Sequence, residues 1–212
     1  MLRKVFWDDP YLSSLDTRVN TVDQDRITLD ETIFYAFSGG QESDAGLIAG
    51  VPVVDASIAG NDIVYTLPPD HDLKPGQQVT VVIDWPRRYR LMRLHFAAEL
   101  VLELVYKELG AIERIGAHIA EDKARIDFRL DHNIATYFDS LTKQANGIVL
   151  ADHAIESAFS DANAGRRYWK IPGFAEVPCG GTHLRRTGEI GTITLKRKNI
   201  GAGKERIEVF AA

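Results

Sequence analysis

The hydrophobic period changes once along this chain, at Asp84, and that change constrains the fold more than any other feature. From Val5 to about Val82 the runs ITL, TIFYAF, DIVYTLPP and QQVTVVI are short and separated by turn signals such as SGGQESDAG, the pattern of brief strands. From Asp84 the period becomes three-to-four, with Leu91, Leu94, Ala98, Val101, Leu102, Val105 and Leu109 on one stripe. Asp84 can cap such a helix, Pro86 is tolerated in its first turn, and Gly110 favours its end. The expected class is α+β. A small β-barrel-like N-terminal domain (1–83) should precede an α+β domain (84–212) whose long helix packs on an antiparallel sheet.

Further along, Ala124, Ile126, Phe128 and Leu130 alternate with Arg125, Asp127 and Arg129, predicting a half-buried strand. Helices are predicted over Asn133–Gln144 and Ala151–Phe159. A hairpin is predicted from Thr192–Arg197 and Arg206–Phe210 around Asn199–Gly203.

With 45% hydrophobic and 26% charged residues over 212 positions, a folded core is expected. No run approaches the roughly 18 apolar residues of a membrane span. The start, MLRKVFWDDPY, has no apolar segment of the secretory kind, so a cytoplasmic protein without membrane attachment is expected. The net charge of −5 speaks against a protein that coats nucleic acid, although three basic clusters stand out. They are Arg87, Arg88, Arg90 and Arg93; Arg166, Arg167 and Lys170; and Arg185, Arg186, Lys196, Arg197 and Lys198. Solvated surface charge explains each of them equally well.

One cysteine, Cys179, leaves no intrachain disulfide and a thiol free for metal or nucleophilic work. His95 and Glu99 lie four apart on the predicted helix, so both side chains can reach one atom. Cys179 and His183 repeat that spacing within PCGGTH, a segment with little to offer a hydrophobic core. A thiolate, two imidazoles and a carboxylate are all zinc ligands. Against this stands the simpler reading of an ion pair on the helix and a tight turn at the glycines. His71, His118, His132 and His153 lack a spacing partner.

The segments His95-Phe-Ala-Ala-Glu99 and Cys179-Gly-Gly-Thr-His183, followed by Arg186-Thr-Gly-Glu-Ile-Gly191, resemble the metal-binding motifs of the AlaX family of alanyl-tRNA editing proteins. The run from Thr32 to Asp44, with its Gly39-Gly40-Gln41, is similar to that family's glycine-rich motif. The resemblance covers nearly the whole chain. It implies a free-standing relative of the editing domains of alanyl- and threonyl-tRNA synthetases, cleaving the ester of a mischarged tRNA(Ala), usually seryl-tRNA(Ala), with no aminoacylation and no use of ATP. It implies zinc at His95, Cys179 and His183, with Glu99 either a fourth ligand or a general base. Thr182 would assist catalysis; Gly39, Gly40, Gln41, Gly180 and Gly181 would approach the acceptor end of the tRNA. Zinc would polarise the carbonyl or lower the pKa of a water from about 15.7 towards about 7.

Two residues depart from the family pattern. Glu99 stands where a second histidine is usual. Phe96 replaces a threonine linked with serine recognition, which leaves the amino acid open. Two other functions fit the same residues: a catalytically weakened tRNA-binding module, and a metallohydrolase acting on a small ester or amide.

Overall fold

The computed structural model describes residues 2–201 and 203–212. Two compact units emerge: residues up to Ser38 together with Glu42–Tyr89, and Gly39–Gln41 together with Arg90–Ala212. The division falls after Tyr89 rather than after Ile83 because the first turn of the long helix is counted with the first unit.

Among the described residues, seven strands form the main sheet of the first unit: β1 (Ser14–Asp23), β2 (Arg26–Leu29), β3 (Gly46–Ile48), β4 (Val51–Pro52), β5 (Asp55–Ala59), β6 (Asp62–Thr66) and β7 (Gln78–Ile83). They form one sheet in the order β4-β3-β7-β1-β2-β6-β5, with every pairing antiparallel. In β7 the alternation is complete: Val79, Val81 and Ile83 are buried and Gln78, Thr80 and Val82 exposed. The predicted strand TIFYAF is mostly not one. Only Glu31–Thr32 pairs, in parallel with Arg3–Lys4. Ile33, Phe34, Tyr35 and Ala36 are buried nonetheless. Side chains replace their ladder partners: Thr32 Oγ1 accepts from the Phe34 N–H at 2.9 Å and Asp44 Oδ2 from the Tyr35 N–H at 2.7 Å.

Asp44 is itself held by Arg88, whose side chain is fully buried. The guanidinium donates to both Asp44 oxygens, to the Ile33 carbonyl at 2.6 Å and to the Pro10 carbonyl at 3.1 Å. One cation thus closes the loop that carries Ile33–Ala36. The arginine cluster read from the sequence is spent internally: Arg87 pairs with Glu42, Arg90 with Glu121, and Arg93 donates to the Ile190 carbonyl.

Helix α1 runs Trp85–Leu109. Asp84 Oδ1 accepts from the Arg87 N–H at 3.0 Å, and Gly110, at φ +77°, follows the last turn. The expected stripe is too narrow. Met92, Phe96, Ala97, Leu100 and Leu104 are buried as well, so the middle of α1 is a core helix covered on nearly all sides, while Leu109 is only partly covered.

The second unit continues with β8 (Glu113–Ile119), β9 (Ala124–Arg129), α2 (Phe138–Leu150), β10 (Glu156–Asp161), β11 (Arg166–Ile171), β12 (Ala175–Pro178), β13 (Ile193–Asn199) and β14 (Lys204–Ala211). Two antiparallel sheets result, β8-β9-β14-β13 and β10-β11-β12. The β13–β14 hairpin matches the prediction, apart from Ala202 of its turn, which lies outside the described residues. Strand β9 departs from strict alternation because Asp127 is buried, taking both Arg206 and Arg125.

The predicted helix over Asn133–Gln144 begins later. Asn133 caps a single tight turn, Ile134–Tyr137, and α2 follows with Leu141, Ala145 and Val149 buried. The predicted helix over Ala151–Phe159 is absent. Asp152 takes φ +47°, Ile155 donates its N–H to the Arg185 carbonyl, and β10 pairs with β11 from Glu156↔Lys170 to Asp161↔Arg166. Pairing distant in sequence overrides a local preference that Ser157 and Ser160 made weak.

Replacing Arg88 by Ala leaves the Asp44 carboxylate buried without its cation. We expect a loss of ~3–5 kcal/mol in urea unfolding. A loss below about 1 kcal/mol contradicts this account of the loop.

Candidate metal centre

Helix α1 brings His95 and Glu99 to one face, one turn apart, with His95 Nε2 3.3 Å from Glu99 Oε1. The opposing side comes from the loop after β12, where the Cys179 N–H donates to the Arg167 carbonyl of β11 at 2.9 Å. Cys179 Sγ lies 3.5 Å from His95 Nε2 and 3.2 Å from His183 Nε2. One donor atom from each of His95, Cys179 and His183 falls within 4.8 Å of the others, so these three could hold a metal ion. Glu99 Oε1 stands beside them, 3.8 Å from Cys179 Sγ.

The surroundings fix the ligands. Ser157 Oγ lies 2.9 Å from His183 Nδ1, the type of partner that sets a ligating imidazole's tautomer. Trp169, fully buried on β11, donates its indole N–H to Glu99 Oε2 at 3.2 Å and leaves Oε1 toward the cluster. Phe96 is also fully buried, edge-on to Trp169 at 5.0 Å and to His183 at 5.8 Å. Gly181 leaves the His95 ring its place: a Cβ there would lie 2.1 Å from His95 Cε1, so the ring or the loop would have to shift.

The charges belong together. Burial disfavours a protonated His95, yet Cys179 and then Glu99 more than offset it, and its pKa is pushed up to about 10. Burial, then the charges of His95 and Arg167, hold His183 well below its ordinary value. Burial opposes the Glu99 carboxylate, but His95, Trp169 and Arg114 together bring its pKa down. A proton on His95 thus supplies the positive charge that a divalent cation would bring, and the donor set fits one.

A small cavity of about 20 Å³, room for roughly one water, opens beside this centre. His95, Glu99, Arg114, Gly39, Leu102 and Ile126 are among its walls. Of the residues singled out in the sequence, Gly39 therefore reaches the site. Gly40 lies against β8, where its carbonyl accepts from the Ile119 N–H and a Cβ would come within 2.6 Å of the Ala117 carbonyl oxygen. Gln41 and Thr182 are buried together, Gln41 Nε2 donating to Thr182 Oγ1 at 3.2 Å. Gly180 is exposed. Among the described residues, Gln41 Oε1 and His95 Nδ1 are buried without a hydrogen-bond partner, an unusual pair so close to one site. His71 and His132 are engaged elsewhere, with the Gln24 carbonyl and with Asp131 and Tyr137.

Residues 169–208 match the model of the threonyl and alanyl tRNA synthetase second additional domain. Over 215 residues, 99% of this chain and 98% of the other, the chain is 34% identical to alanyl-tRNA editing protein AlaX-M of Pyrococcus horikoshii. The chain belongs to the AlaX family. It is 31% identical to the AlaX-M protein of Methanosarcina mazei over 240 residues, 98% of this chain and 95% of that one. It is also 33% identical to the alanine–tRNA ligase of Ignicoccus hospitalis, of which it spans 26%.

The AlaX segment matched by the domain model contains Trp169, Cys179 and His183, whereas His95 and Glu99 lie outside it on α1. Reading the AlaX chain as a sequence missed Trp169 and Ser157. Neither has a spacing relation to a ligand; 70 residues separate Trp169 from Glu99. Phe96 was noted only as a departure, and the structure places it in the core behind His183.

Two outcomes are expected. Gly181→Ala should displace the His95 ring and weaken the affinity of the cluster for a divalent metal at least about ten-fold in a chelator competition, the scale of a disturbed ligand orientation. Because His95 must lose its proton to ligate through Nε2, metal uptake should release a proton and affinity should rise with pH, by up to about ten-fold per unit, until about pH 10. A pH-independent affinity contradicts this charge arrangement.

Proposed function

We propose that this chain is a trans-editing hydrolase that deacylates mischarged tRNA(Ala), with seryl-tRNA(Ala) as its substrate. The observation that carries the reading is the convergence of His95, Cys179 and His183, with Glu99 alongside, in a chain of the alanyl-tRNA editing family. The metal is zinc: a thiolate with two imidazoles suits it, and three protein ligands leave one position open. When bound, zinc acts as a Lewis acid toward the ester carbonyl and acidifies water.

The chain's own residues supply the rest. Glu99 is the general base: Trp169 holds its Oε2, and its Oε1, beside His95 Nε2, faces the cluster where it can accept a proton. Thr182, having accepted from Gln41, keeps its own hydroxyl proton to donate to the developing oxyanion. Gly39 at the cavity and the exposed Gly180 let the acceptor end come close to backbone, and Gly40, Gln41 and Gly181 hold that surface in shape. The cavity's small size suits a short amino acid side chain. Residues 84–212 are the editing domain in this reading and 1–83 the β-rich domain that carries the glycine motif. Ester hydrolysis needs neither ATP nor an aminoacylation step, and the work is cytoplasmic.

The test pairs activity with metal analysis. Wild type should release serine from seryl-tRNA(Ala), and Cys179→Ala should lose both zinc and activity. Glu99→Gln should retain one zinc per chain and lose at least about 100-fold in kcat, the contribution expected of a general base. An active Glu99→Gln overturns the base assignment. Loss of zinc in that variant makes Glu99 a ligand instead.

A further inference from the structure

Among the lining residues of the cavity, Arg114 is the charged one that belongs to neither the metal cluster nor the glycine motif. On β8 it stands opposite Phe128 of β9, and residues directly opposite share one face of a sheet. Phe128 is fully buried on that face, yet Arg114 is exposed. The pairing register breaks between Arg114 and Gly116, a bulge of the type that re-aims a side chain. Among the described residues the guanidinium has no hydrogen-bond or ion-pair partner. Its one recorded interaction is a Coulombic pull on Glu99, whose oxygens are already engaged by His95 and Trp169. An exposed cation without an ion-pair partner thus lines the cavity beside the cluster, where an anion could reach it.

We propose that Arg114 is an anion subsite that takes the phosphate on the 5′ side of the aminoacylated terminal nucleoside. This rests on the deacylase reading above. The polarity of the substrate supports it. An aminoacyl nucleotide carries an α-ammonium at one end and a phosphate across one ribose. The cavity lining carries both the Glu99 carboxylate and the Arg114 guanidinium, so the orientation that sets the ammonium toward Glu99 and the phosphate toward Arg114 pairs opposite charges. Arginine also suits a phosphate geometrically, since its fork of donors matches two oxygens at once.

The experiment uses a minimal pair of esters, 2′(3′)-O-seryl-adenosine with and without its 5′-phosphate, on the full-length zinc-loaded protein. Arg114→Ala should raise KM for the phosphorylated ester about ten-fold or more, with the loss confined to the substrate that carries the phosphate. Arg114→Lys should recover part of it. The salt dependence of KM for seryl-tRNA(Ala) should flatten by roughly one counterion. An equal loss on both esters, or a fall in kcat with an altered pH profile, overturns the proposal and makes Arg114 a tuner of Glu99; no change on either ester returns it to solvated surface. If wild type hydrolyses neither ester nor mischarged tRNA, the deacylase reading fails. Equilibrium binding of adenosine 5′-monophosphate then reads Arg114 alone, and equal affinity for wild type and Arg114→Ala overturns the subsite.

Discussion

The contact of Gly181 with the His95 ring is the constraint on which the centre depends. A side chain at that point would press on the imidazole and disturb its approach to Cys179 and His183. The geometry is demanding because the two halves of the cluster come from elements of different kind. One is a core helix fixed by buried residues around most of its middle. The other is a loop tied to β11 by the backbone hydrogen bond of Cys179, and to Gln41 through Thr182.

Around that contact the polar groups form a consistent charge system. Cys179 and Glu99 draw a positive charge to His95, while the same charge, with Arg167 and burial, keeps His183 neutral. A buried arrangement of this kind is costly unless the positive charge is supplied, either by a proton or by a metal ion. Trp169 holds one oxygen of Glu99 and leaves the other beside His95. Phe96 bears on both Trp169 and His183, so a smaller residue there would loosen the partners of Glu99 and of Cys179 together.

Legibility in the sequence followed the range of the interactions. Helix α1 could be read almost to its ends because its signals, Asp84, Pro86 and Gly110, act within one turn. The β13–β14 hairpin was legible for the same reason. Residues 151–159 were misread because β10 owes its form to β11, and TIFYAF because Thr32, Asp44 and Arg88 satisfy its backbone in place of a neighbouring strand. At the site, spacing singled out His95 with Glu99 and Cys179 with His183, which the structure brings close together. It could not reveal that a tryptophan, a serine and an arginine from three separate strands would meet them.

X-ray absorption at the zinc edge of the purified protein tests the central claim most directly. The account predicts a shell with one sulfur at about 2.3 Å and two imidazole nitrogens at about 2.0 Å. A shell of oxygen and nitrogen only, or a protein that folds and retains no zinc, contradicts it.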